Sequence, residues 1–85
     1  MKNKTNLPKW FNGTIYDKGD TVTNPFSGEE YKLTNLELSM YDFIMGLNYV
    51  FEILGQASEK HISEHQKALS WFRRHNSKAY MVLLD

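Results

Sequence analysis

The chain has no cysteine, which removes disulfides and thiol chemistry and suits a reducing interior. It has no run of 18 apolar residues, so no membrane-spanning helix is expected. The opening MKNKTNLPKW lacks the apolar stretch of a secretory signal, so none is expected. It has no net charge either: 10 Lys and Arg balance 10 Asp and Glu. A dedicated nucleic-acid binder usually shows a strong basic excess, so the balance argues against that class.

What is present is aromatic weight. With 5 Phe, 5 Tyr and 2 Trp in 85 residues, and 41% hydrophobic residues overall, the chain is too apolar to stay disordered. One domain is expected at this length. A domain so small buries only about 60–65% of the surface its unfolded chain exposes, so large aromatic side chains matter to its core. The charges are unevenly placed. Lys2, Lys4, Lys9 and Lys18 outweigh Asp17 and Asp20 near the start. Glu29, Glu30, Glu37, Asp42 and Glu52 outweigh Lys32 in the middle, and basic residues dominate again after Gly55.

The stretch TNLELSMYDFIMGLNYVFEIL, 34–54, organises the rest. Leu36, Met40, Phe43, Ile44, Leu47, Val50, Phe51 and Leu54 recur at helical spacing and predict a broad core-facing stripe. A second set, Leu38, Tyr41, Met45, Tyr49 and Ile53, falls on the opposite side. Such a helix needs partners on two sides. Thr34-Asn35-Leu36-Glu37 fits a capping box at its start, and Gly55 suits its end. Ser39 and Gly46 lie between the stripes, where small side chains admit another backbone. Glu37, Asp42 and Glu52 have no spacing that makes an acid–base pair, and they are expected to face solvent.

Before this helix, residues 1–6 read as a loose polar tail. Leu7 to Phe11 brings in apolar weight, and Asn12-Gly13 is a turn signal. Thr14-Ile15-Tyr16, Thr21-Val22-Thr23 and Glu29 to Leu33 predict three short strands, separated by turns at Asp17 to Asp20 and Asn24 to Gly28. After it, Gln56-Ala57-Ser58 is a link to a second helix ending near His75. Ile62, His65, Leu69 and Phe72, with Ala68 and His61, form its expected inner arc; Lys60, Lys67, Ser70 and Arg74 form the outer one. Asn76 is expected to close it and Ser77 to cap a short terminal helix over 78–84, although Tyr80 to Leu84 also suits a strand. The expected fold is α+β: a small three-stranded antiparallel meander followed by a helical hairpin and a short C-terminal helix, with 7–85 forming one domain.

Two stretches invite a chemical reading. His61-Ile62-Ser63-Glu64-His65 spells the inverted zinc-peptidase motif, in which two histidines one turn apart hold zinc and a glutamate activates water. A zinc site needs a third protein ligand, and the only carboxylate after His65 is Asp85. The histidines are therefore expected at the margin of the core, with no metal and no cofactor. Arg73-Arg74-His75, with Lys67 and Lys78 nearby and Trp71 beside them, is the densest basic patch. It could contact nucleic acid by stacking and phosphate pairing, or a protein through Trp and Arg. It could equally pack Trp71 and Phe72 inward while the arginines offset helix-end charge.

The segments LPKWFNG at 7–13, NPFSGEE at 24–30, ELSMYDFIMG at 37–46 and ALSWFRRHNSKAYMVLLD at 68–85 resemble a group of short proteins from tailed bacteriophages of marine cyanobacteria. The resemblance covers most of the chain beyond residue 6. It implies a viral origin and a place in the host bacterial cytoplasm or the virion, and it brings no activity and no site residues. The expected function is non-catalytic contact with a host protein or a virion component. The surfaces expected to serve are Leu38, Tyr41, Met45, Tyr49, Trp71, Arg73 and Arg74, with a homodimer through the central helix. The alternative is weak nucleic-acid binding by Lys67, Trp71, Arg73, Arg74 and Lys78. A metal-dependent hydrolase on His61 and His65 is a distant third.

Overall fold

A computed structural model describes residues 7–11, 13–55 and 58–84. The tail at 1–6, Asn12 of the expected turn, Gln56 and Ala57 of the link, and Asp85 lie outside the described residues. The described chain is α+β. Strands β1 (Asp20–Thr23) and β2 (Glu30–Leu33) form a two-stranded antiparallel sheet, followed by helices α1 (Asn35–Ile53), α2 (Glu59–His75) and α3 (Ser77–Leu83).

The hairpin register sets Val22 opposite Tyr31 and Asp20 opposite Leu33. That puts Val22, Tyr31 and Leu33 on one face, as the strand period of two requires. Leu33 is buried in the core, and Val22 and Tyr31 pack at its edge. The connecting loop is ordered by Asn24. Its Oδ1 accepts from the amides of Phe26 at 2.8 Å and Ser27 at 3.3 Å, and its carbonyl accepts from Gly28 at 2.8 Å. Gly28 takes φ +79°, which L side chains rarely adopt. The Asn24 side-chain amide donates to Val82 O at 2.8 Å, tying the loop to α3. Gly19 is needed for a different reason. A Cβ there would fall on the Leu33 carbonyl oxygen.

The capping box forms as the residues predict. Thr34 Oγ1 accepts from Glu37 N at 3.3 Å, and Glu37 Oε1 accepts from Thr34 N at 2.9 Å. Gly55 follows the helix with φ +64°. Ser58 caps α2 by accepting from His61 N at 3.2 Å. Asn76 both closes α2 and caps α3, where its Oδ1 accepts from Ala79 N at 3.1 Å; Ser77, expected as the cap, is the first helical residue. Residues 80–83 are helical, which removes the strand alternative.

The sheet has two strands where three were expected. Residues 14–16 carry no strand pairing. Tyr16 N instead donates to Ser39 Oγ at 2.9 Å, and Tyr16 O accepts from Asn35 Nδ2 at 3.3 Å. A few residues earlier, Phe11 packs on Phe43 at 5.1 Å between ring centroids, and Trp10 on the same ring at 6.2 Å. Asn35, Ser39 and Phe43 are one i, i+4 ridge of α1. The N-terminal segment therefore lies along that ridge, antiparallel to the helix, and the backbone of Tyr16 is satisfied by side chains in place of a neighbouring strand. Ser39 is fully buried beneath it. Gly46, its counterpart one heptad on, faces open space.

The core joins Leu33 of β2, Met40 and Ile44 of α1, Ala68 and Phe72 of α2, and Ala79 and Leu83 of α3. Helix α3 packs chiefly on α2 and β2. It does not close over the second stripe of α1, so that stripe divides. Leu38 and Tyr41 are half-buried and pack on the core, and burial raises the Tyr41 phenol above its usual pKa. Met45, Tyr49 and Ile53 are exposed, the last two by 57% and 64%.

Candidate functional site

The seven residues expected to form a contact surface fall into three places. Leu38 and Tyr41 are committed to the core margin. Met45 and Tyr49 stand exposed on α1, and Ile53 and Leu54 continue their exposure to the end of that helix. Met45 is lightly held by Asn48, whose Nδ2 lies 3.8 Å from its sulfur. The third group sits on α2 and is itself split. Trp71 and Arg74 line a cleft, whereas the Arg73 guanidinium lies 6.0 Å over the Tyr80 ring of α3, at the limit of a cation–π contact.

That cleft has a volume of about 560 Å³. Pro8 and Trp10 of the N-terminal segment form one wall. Lys67, Trp71, Arg74 and His75 of α2 form the other, with Gln66 and Ser70 of the same helix between. These α2 positions share a face because they recur at three- and four-residue steps. The Trp71 and His75 rings are stacked, 4.5 Å between centroids and 8° between planes. His75 Nε2 in turn lies 3.4 Å from Glu37 Oε2. Of the five residues expected to contact nucleic acid, the structure brings together Lys67, Trp71 and Arg74. Arg73 is turned toward Tyr80, and Lys78 is exposed on α3.

Glu37 corrects the expectation that it faces solvent. Only 5% of it is exposed, and Asn76 Nδ2 donates to its Oε2 at 3.0 Å in addition to the capping bond. One carboxylate thus joins the start of α1 to the junction of α2 and α3. A buried carboxylate is tolerated because these donors replace its lost water. Asp42 and Glu52 are exposed, as expected. The Asp42 carboxylate beside Tyr16, and then burial, hold that phenol above its usual pKa.

The HxxEH stretch runs along the first half of α2. His65 Nε2 lies 2.8 Å from Asn48 Oδ1, and its ring packs edge-on to Phe51 at 5.2 Å. Burial lowers its pKa from 6.5 and favours the neutral ring. His61 Nδ1 is enclosed without a hydrogen-bond partner among the described residues. No group of three His, Asp or Glu side chains among them is placed to hold a metal ion. Ile62, expected to face inward, is exposed. No helix among the described residues is long and apolar enough to cross a membrane.

The α2 half of the cleft, His75 included, is legible in the sequence as a basic patch; Trp10 and Glu37 are not legible as parts of the same construction. The one local signal was the apolar cluster Trp10-Phe11, which demanded a partner without naming it. No family model matches the chain, and neither the curated proteins nor the solved structures contain a significant match.

Proposed function

We propose that the protein acts by non-catalytic contact with a protein partner, through the uncovered far half of α1. The observation that carries this reading is the exposed row Met45, Tyr49 and Ile53, set at i, i+4 and i+8 on one helix face. Large apolar side chains gathered on one face of a small domain mark an interaction surface more often than scattered ones do. A tyrosine there suits an interface, since its ring buries well and its hydroxyl stays hydrated. The resemblance to phage proteins supports a role during infection, with a host protein or a virion component as the outside partner.

The first partner for such a face is a second copy of the chain. Twofold pairing lets one surface serve both molecules. At high micromolar concentration the wild-type protein should sediment as a species larger than 10.0 kDa. Met45→Lys should sediment as a folded monomer, because the introduced ammonium reaches water from an exposed site. A wild-type protein that stays at 10.0 kDa ends the self-association part of the proposal. The remainder is then decided by affinity purification of tagged protein from infected cells. A partner retained by wild type and lost by Tyr49→Lys supports this face, and one retained equally by both removes it.

A further inference from the structure

The cleft between the N-terminal segment and α2 lies apart from the face just proposed, and its chemistry points to a different kind of ligand. Two indoles, Trp10 and Trp71, line it from opposite walls. Trp71 is held from one side by the His75 ring, and His75 is itself anchored near the buried Glu37. The stack is therefore in place before any ligand arrives, which lowers the ordering cost of binding. Glu37 does not supply an open negative charge to the cleft. Its two oxygens are engaged by Thr34 N, Asn76 Nδ2 and His75.

Lys67 and Arg74 stand on the same helix, two turns apart, so roughly 10 Å separates them along its axis. Both are exposed, and among the described residues neither has a carboxylate within salt-bridge distance. Ser70 lies between them and adds a hydroxyl. A purely apolar ligand would strip water from two cations without replacing it. A bare anion would gain nothing from the indoles. The arrangement fits a flat aromatic ring joined to an anion, and its volume of about 560 Å³ lies within the range of sites for small molecules, about 300–1,000 Å³.

We infer that this cleft binds a nucleoside phosphate, with the base against the indoles and the phosphate between Lys67 and Arg74. The ligand is either a free nucleotide or one unit of a single strand. Base stacking on aromatic side chains tolerates any base, so the site reads chemistry more than sequence. With two cations engaged on a single strand, a tenfold rise in salt should lower affinity about 25-fold.

The test is a titration of the full chain followed by tryptophan fluorescence, using AMP, inorganic phosphate and a ten-residue oligo-dA. AMP should quench saturably, and phosphate alone should bind at least tenfold more weakly. Lys67→Glu and Arg74→Glu should each weaken AMP at least fivefold. Arg73→Glu, whose parent side chain lies over Tyr80, should change it less than twofold. Trp71→Ala reads the stacking contribution, and Trp10→Ala repeats that reading if Trp71→Ala fails to fold. Oligo-dA binding at least tenfold tighter than AMP assigns the site to a strand; smaller differences assign it to the free nucleotide. The inference is overturned by any of four results: no saturable quenching, phosphate matching AMP, Arg73→Glu matching Arg74→Glu, or a phosphotyrosine peptide binding more tightly than both nucleotides. Met45→Lys should leave AMP binding unchanged, which keeps this inference separate from the contact face on α1.

Discussion

Where α1 begins and α2 finishes, Met40, Ile44, Ala68 and Phe72 are sealed beneath Leu33 of the sheet and Ala79 and Leu83 of α3. At the other end the same two helices meet through half-buried Asn48, Phe51 and His65, and no described residue from Asn48 to Lys67 is buried. The difference is one of layers. The first end has a sheet and a third helix to complete it, and the second has only the two helices. Hydrophobic stabilisation follows the area removed from water, so most of it resides at the first end. The second end keeps apolar side chains in water, and that is the surface proposed above for a partner.

The largest expected effect comes from cutting the two ends equally. Phe72→Ala should cost about 3–5 kcal/mol, since it empties a fully buried site. Phe51→Ala should cost less than half as much by urea denaturation, because its ring is only half-buried. Equal losses would show that the far end contributes as much as the core. A smaller contrast sets Glu37 against Glu52 on the same helix. Glu37→Ala should cost about 1–3 kcal/mol by removing a cap and stranding Asn76 Nδ2. Glu52→Ala should stay within about 0.5 kcal/mol, as exposed positions usually do. Matching losses would mean that the Glu37 bonds are not made in solution.

Acid should touch the thin end through His65. Its pKa is lowered by burial, so the unfolded chain takes a proton more readily than the folded one. The contribution of this histidine is fully present above about pH 6.5 and is lost as the pH falls through the lower folded value. His65→Gln should flatten that limb of a melting-temperature profile against pH; an unchanged limb would assign the loss to other groups. The smallest effect is expected at the proposed contact face. Tyr49→Lys should shift monomer stability by no more than about 0.5 kcal/mol, measured below the concentration at which any pairing occurs. A larger loss would mean that Tyr49 serves the fold.

The parts of the fold that depend on neighbours in sequence were legible. The Thr34 and Glu37 box, Gly55 after α1 and Ser58 before α2 all act within a few residues. The second duty of Glu37 was not legible, because its partner Asn76 lies 39 residues away. Residues 14–16 have strand-like side chains, but the backbone of Tyr16 pairs with Ser39 and Asn35. Ser39 was readable as a point of close approach, and Gly46 on the same argument was not, since nothing approaches it. Ile62 fits the inward arc of α2 by spacing, yet α2 has outrun its cover there. The basic face of α2 could be seen on one helix. Its opposite wall, Trp10, could not, because pattern within a helix says nothing about a chain segment laid beside it.

The bond from Asn24 to the Val82 carbonyl spans 58 residues and has a consequence for the order of events during synthesis. The sheet leaves the ribosome before the helix that seals it. Until Leu83 has been added, β2 and the start of α1 hold Leu33, Met40 and Ile44 with their final cover missing. The core cannot be complete until then, because Ala79 and Leu83 of α3 are part of it. Nascent chains arrested after His75 and freed from the ribosome should be cut rapidly by protease in the 20–44 region, whereas chains reaching Leu84 should resist. Equal resistance would mean that the hairpin and the first two helices are already self-sufficient.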